Sequence, residues 1–328
     1  MIGRSALRVS IAAACLGAPL AAQQDFSNVE FDVMHVSGNV WVLNSGRGGN
    51  IGVSTGADGV LMVDDQFAPL ADKIRAALRE AGAGSEVNFL LNTHWHGDHT
   101  GGNVEFGDEA TIIAHTNVRE RLSTPQDRGS GNVVQPSPDV ALPVITFDES
   151  LSIHFNGEEV RAFHVPNGHT DGDAVIYFTG SNVIHMGDDF FQGRFPFVDI
   201  ASGGTVEGLE RGIGDVLQHA PDDVAIIPGH GALSTIEDLE TYHRMLRETI
   251  AMVREKMDRG LSAEDIAAGG VSDEWTDWGS GFINTERWLG TIYQSLEGTS
   301  DGDYVDHGHG SDGSSRGGTT GHRHRHDR

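Results

Sequence analysis

Thr93-His94-Trp95-His96-Gly97-Asp98-His99 directly follows the apolar run Val87 to Leu91 and packs three imidazoles and one carboxylate into six residues. Such density fits a metal site, where every donor must reach one point within about 2.0–2.2 Å of an ion. Val87-Asn88-Phe89-Leu90-Leu91 reads as a short buried strand. The motif then occupies the loop at its C-terminal end, where open α/β sheets place their sites. In extended backbone, residues i and i+2 point the same way. His94 and His96 can therefore share one ion. After a turn at Gly97, Asp98 and His99 can face a second, adjacent position. Four polar residues on a surface turn would leave the coincidence unexplained.

Two ions need more ligands, and three later segments carry candidates, each on a tight loop beside an apolar run. Asn167-Gly168-His169-Thr170-Asp171-Gly172-Asp173 presents His169. Met186-Gly187-Asp188-Asp189 follows Asn182 to His185, and Pro228-Gly229-His230-Gly231 follows Val224 to Ile227. Glycine beside each donor lets the backbone turn sharply and approach an ion. His164 and His185 flank these loops but fit strand positions. His35, His115, His154, His219 and His243 have no partner donor in the sequence, and all seven read as structural or surface residues.

Alternation predicts strand pairs at Phe31–Val36 with Val40–Asn44, and at Ile51–Ser54 with Val60–Val63. Further strands are expected at Thr111–Ala114, Leu151–Phe155, Val160–Val165, Ala174–Phe178, Asn182–His185 and Val224–Ile227. Helices are expected at Pro69–Ala81, Asn117–Leu122, Thr205–His219, Thr235–Arg259 and Ser262–Ala268. Ser123 to Pro143, with Pro, Gly, Ser and Asn, reads as a long loop, either a substrate lid or a surface excursion. Trp95, Phe190, Phe191, Phe195 and Phe197 are candidates for an apolar wall beside the ions, or for ordinary core. Trp275, Trp278 and Phe282 are equally open. Pattern alone yields an α/β domain with strands in both halves.

The two ends differ from the middle. Met1 to Ala22 has the form of a secretory signal, with Arg4 and Arg8, the apolar run Val9 to Leu20, and small residues at Ala21 and Ala22. That run is too short to span a bilayer. The expectation is a periplasmic or secreted protein whose domain covers 23–298, with lipid anchoring at Cys15 as the minor alternative. Cys15 is the only cysteine, so nitrogen and oxygen must hold any metal and no thiol serves as nucleophile. Thr299 to Arg328 is almost wholly Gly, Ser, Thr, Asp, His and Arg, and reads as a disordered tail. Its alternating histidines suit weak binding of zinc, nickel or copper, or no specific role. A net charge of −26 argues against nucleic acid and anionic membrane as partners.

On its four separated motifs the chain resembles the metallo-β-lactamase superfamily, over roughly Phe31 to Tyr242. The resemblance implies an α/β fold of four layers, an αβ/βα sandwich. It implies one Zn²⁺ on His94, His96 and His169, a second on Asp98, His99 and His230, and Asp188 bridging both. Asp64, with Asp65 as competitor, matches the aspartate that supports the histidine loop from behind, and Asp189 competes with Asp188. The implied chemistry is hydrolysis by a hydroxide held between the two ions, with Asp98 orienting it and shuttling its proton. Iron or manganese would suit the same donors. Two divalent ions against two carboxylates leave a positive centre, suited to a small substrate bearing an anionic group. Relatives of this type cleave β-lactams, lactones, thioesters, phosphodiesters and sulfate esters. A carboxylate at Asp188 departs from the dedicated zinc β-lactamases, and export argues against a cytosolic thioesterase. The expected reaction is opening of a cyclic amide or ester. A phosphodiesterase or sulfatase is the alternative on the same fold, and a non-catalytic metal carrier using the histidine tail is the alternative in kind.

Overall fold

The computed structural model describes residues 25–127 and 133–300. The signal segment lies outside them. Two hairpins open the fold, β1 (Asp32–Ser37) with β2 (Val40–Asn44), and β3 (Ile51–Gly56) with β4 (Gly59–Val63). Then come α1 (Ala71–Glu80), β5 (Phe89–Leu91), α2 (Gly97–Thr100), α3 (Asn103–Phe106), β6 (Thr111–His115) and α4 (Thr116–Ser123). A small hairpin of β7 (Gln126–Asp127) and β8 (Val133–Val134) precedes β9 (Ile145–Phe147). The second half contains β10 (Ser150–Phe155), β11 (Glu158–Val165), β12 (Asp173–Phe178), β13 (Val183–His185), α5 (Val206–His219) and β14 (Ala225–Ile227). It ends with α6 (Ile236–Asp258), α7 (Ala263–Ala268) and α8 (Thr285–Ser300).

The strands form a seven-stranded sheet, β1-β2-β3-β4-β5-β6-β9, and a five-stranded sheet, β10-β11-β12-β13-β14. The first is antiparallel through β4 and parallel from β4 to β9. The second is antiparallel until β13 and β14, which run parallel. Side chains two apart share a face of a strand, and β4 shows the result. Leu61 and Val63 point into the interface between the sheets, among Val160, Ile176 and Phe178. Val60 and Met62 point outward, onto Ile74, Ala77 and Leu78 of α1. The outer face of the second sheet is covered by α5, α6 and α8 through residues such as Leu209, Leu246 and Trp288. Helix, sheet, sheet, helix is the expected four-layer αβ/βα sandwich.

One end of the sandwich is laced together. Asn39, in the β1–β2 turn, donates to the Asn156 carbonyl at 2.8 Å and its backbone N–H donates to Ser181 Oγ at 3.1 Å. Asn156, in the β10–β11 turn, donates to Asp58 at 2.7 Å and to Ser54 Oγ at 3.1 Å. At the other end, the C-terminal ends of β4, β5, β11, β13 and β14 present their loops to one another. The helix α8 extends the fold beyond the expected elements and runs to Ser300, two residues into the segment assigned to the tail. The remaining tail, with all its histidines, lies outside the described residues.

Candidate metal centre

Every donor from the sequence motifs reaches this second end. His94, His96, His169 and Asp188 form one group and Asp98, His99 and His230 another, the ligand atoms of each lying within 4.8 Å of one another. Both groups draw on loops from the two sheets. Asp188 sits between them. Its Oδ1 is 3.1 Å from His99 Nε2 and 3.3 Å from His230 Nε2, while Oδ2 is 3.6 Å from His169 Nε2 and 3.8 Å from His94 Nε2.

Each of four histidines turns one ring nitrogen to the protein and the other to the cluster. Thr93 Oγ1 lies 3.1 Å from His94 Nδ1, Asp64 Oδ2 is 2.7 Å from His99 Nδ1, and the Phe197 carbonyl is 2.7 Å from His169 Nδ1. His96 is reversed: its Nε2 meets Asp199 Oδ2 at 2.9 Å, and its Nδ1 lies 2.8 Å from His169 Nε2. Such outer contacts fix the tautomer and aim of a metal-ligating imidazole. Asp64 also accepts the Thr93 N–H and hydroxyl, both at 2.7 Å, which ties the motif loop to the end of β4. Its φ of 62° is a strained value for a non-glycine residue. Asp65 instead accepts from Gly102 N, and Asp189 from His169 N, and neither belongs to the two donor groups.

The electrostatics separate acceptors from cations. Burial drives His94 well below the usual histidine range and His169 down to about 4. Burial also opposes charge on His99 and His230. The neighbouring carboxylates, Asp188 foremost, overcome it and raise His99 strongly and His230 to about 9. Asp98 is held at about 2 against the cost of its burial, by His99 and His230. His230 and His99 likewise hold Asp188 low. His94 Nε2, His99 Nε2 and Asp188 Oδ1 are buried without a hydrogen-bond partner. Buried polar atoms are ordinarily satisfied, and borderline nitrogen and hard oxygen donors of this kind suit divalent cations such as zinc. The residues present therefore fit a pair of such ions.

Glycine makes the close packing possible. A Cβ on Gly49 would fall 2.1 Å from the His99 ring, and one on Gly229 would fall 2.2 Å from Asp188 Oδ1.

The cluster forms the floor of a cleft of about 1040 Å³. Trp95, Phe191, Phe195 and Phe197 line it, as the sequence allowed. Phe190 does not: it is fully buried and packs on Tyr242 at 5.0 Å, in the core beneath α6. Val134, Gln135, Ser137 and Pro138 of the long loop form part of the rim, and Phe282 lines the cleft while Trp275 is buried in the core. Asp199 was not legible as a partner of His96. It stands in Phe197-Val198-Asp199-Ile200 with no motif around it. The only signal was that a ligating imidazole needs an outer acceptor. His164 and His185 bond backbone carbonyls of Asp173 and Asn50, in line with structural roles.

The sequence profile of the Metallo-beta-lactamase superfamily matches residues 37–251. The alpha subunit of 2,4-dinitroanisole O-demethylase from Nocardioides sp. (strain JS1661) is 28% identical over 162 residues, 48% of this chain and 46% of that protein. Hydroxyacylglutathione hydrolase from Polaromonas sp. (strain JS666 / ATCC BAA-500) is 28% identical over 151 residues, 45% of this chain and 49% of that one. These alignments span about half the length of either relative. Among solved structures, a double mutant of the sec-alkyl sulfatase PisA1 superposes with a TM-score of 0.61 at 16% identity, over 84% of this chain and 52% of that one.

Proposed function

Because this chain belongs to the metallo-beta-lactamase superfamily and is a metal-dependent hydrolase, we propose that it is a dinuclear zinc enzyme that opens cyclic amides or esters of the β-lactam or lactone type. The observation that carries this reading is Asp188, one carboxylate offering an oxygen to each of two donor groups. His94, His96 and His169 would hold one ion, Asp98, His99 and His230 the other. When bound, such ions supply Lewis acidity and make water acidic enough to act as a nucleophile near neutral pH. The chain's own residues do the rest. Asp98 is the more exposed of the two donor carboxylates, with its side chain 31% accessible against 6% for Asp188. It is placed to accept a hydrogen bond from the attacking water, take its proton and pass it to the leaving group. The aromatic wall excludes bulk water and receives the apolar part of the substrate. No cysteine stands at the site to serve as a nucleophile. Export of the protein belongs to the same proposal and would show as a mature N-terminus near Gln23 in the periplasmic or secreted fraction.

The test is metal analysis together with a substrate panel on the zinc-loaded protein: a β-lactam, a lactone, a thioester, a phosphodiester and an aryl sulfate. Two zinc ions per chain and fastest turnover of the β-lactam or lactone are expected, with all activity lost in His96→Ala. A single iron with oxygen consumption would refute the proposal. Preference for the phosphodiester or aryl sulfate would move the enzyme to the alternative class.

A further inference from the structure

Three arginines line the cleft, and two of them stand without an acidic partner among the described residues. Arg121 is compensated by a two-pronged pair with Asp171, at 2.7 and 2.6 Å. Arg194 and Arg287 make no ion pair with any described residue. That is unexpected in a chain with 48 acidic and 22 basic side chains, where a surface cation readily finds a carboxylate.

Arg287 is also held in place. Its guanidinium carbon lies 4.7 Å from the ring centroid of Phe282 and 5.5 Å from that of Phe197, whose own ring is 5.9 Å from His96. Phe282 is 79% exposed, an unusual position for a large apolar ring unless something covers it. Arg287 stands in the first turn of α8, the end of a helix where a cation is electrostatically disfavoured. Arg194 packs beside Gly281, next to Phe282 in the chain. Three locally unfavourable choices thus converge on one side of one cleft. Stacking between two rings restricts the side chain before any ligand arrives, which lowers the entropy lost on binding. Residues 281–287 lie outside the segment matched by the family profile, whereas Arg194 and Phe197 lie within it.

We infer that Arg287, clamped by Phe282 and Phe197 and flanked by Arg194, binds an anionic group on an amphipathic substrate, remote from the bond that is cleaved. The substrate's apolar body lies along Phe197 and Phe191, and its scissile carbonyl reaches the histidine cluster. The inference rests on the hydrolase reading for the last step only.

Two matched esters test it: the mono-4-nitrophenyl ester of suberic acid, with a free carboxylate, and the same compound as its neutral methyl ester. The zinc-loaded protein should favour the carboxylate by at least about tenfold in kcat/KM, mainly through KM, and the R194Q/R287Q variant should bring the ratio close to one. The neutral ester serves as the internal control for folding. Equal turnover of both esters by the unaltered protein, or an unchanged ratio in the variant, overturns the anion site and leaves the hydrolase standing. If neither ester is cleaved, the hydrolase reading is the one in trouble. Calorimetric binding of 6-phenylhexane-1-sulfonate then decides the anion site. A Kd at least about tenfold weaker in R194Q/R287Q supports it, and an unchanged Kd overturns it.

Discussion

Asp64 decides which nitrogen of His99 is free for a cation. The carboxylate can only accept, so Nδ1 of His99 carries a proton and Nε2 is the nitrogen left toward Asp188, where a bound cation would replace its proton. In Asp64→Asn an amide N–H would oppose that proton or push it to Nε2. Metal affinity is expected to fall about 10–100-fold, as read by competition with a chelator. A second residue-scale effect concerns pH. The rings of His115 and His164 stack at 3.9 Å, and burial lowers both pKa values, with His164 further disfavouring charge on His115. In the unfolded chain they protonate near about 6.5. The unfolded state therefore binds more protons as pH falls through that value, and this contribution to stability is lost until the lower folded pKa values are passed. His164→Gln should shrink the drop in Tm between about pH 7.5 and pH 5.5 in scanning calorimetry. An equal drop would assign the acid sensitivity to other groups. Individual donors were legible because four of them crowd into one short motif after a strand and His169, Asp188 and His230 each stand beside a glycine. Arg287 and Asp199 were not, since their meaning comes from neighbours 90 to 103 positions away in the chain, Phe197 and His96.

At the scale of elements, α5 holds the His169 loop by contact with its N-terminal turn. Thr205 caps the helix by accepting from Gly208 N, and its own N–H donates to the Asn167 and Gly168 carbonyls. A Cβ on Gly208 would fall 1.9 Å from the Asn167 carbonyl oxygen. Alanine would gain about 1 kcal/mol in helix propensity. That gain is outweighed by steric conflict with backbone, typically about 1–3 kcal/mol. Gly208→Ala should therefore lower both denaturant stability and metal content; improved stability would show that the loop yields without cost. Most strands and the capped helices α5 and α6 matched expectation to within two residues, because period and caps are local signals. Ile145–Phe147 and α8 escaped notice. The first is only three residues long. In α8 the buried set Trp288, Leu289, Ile292 and Leu296 is interrupted by Gly290 and followed by Gly298.

For the whole molecule, the layering itself was not legible from periodicity, since β9 joins β6 and β14 joins β13 only by long crossovers. The likeness of the motifs supplied it. Among the described residues no helix is long and apolar enough to cross a membrane. Removal of residues 301–328 should leave turnover at saturating zinc within about twofold. Loss of metal transfer as the protein's main activity would favour the non-catalytic metal-carrier alternative, in which the tail histidines act. The hydrogen bonds around Asn39 and Asn156 have a further consequence. They make that end of the sandwich the spine of a book whose pages are the two sheets, and the histidine cluster lies at the open fore-edge. Chelation would unclasp the book without unbinding it. Amide exchange should then quicken at residues 92–99 and 187–190 while the turns at Asn39 and Asn156 stay protected.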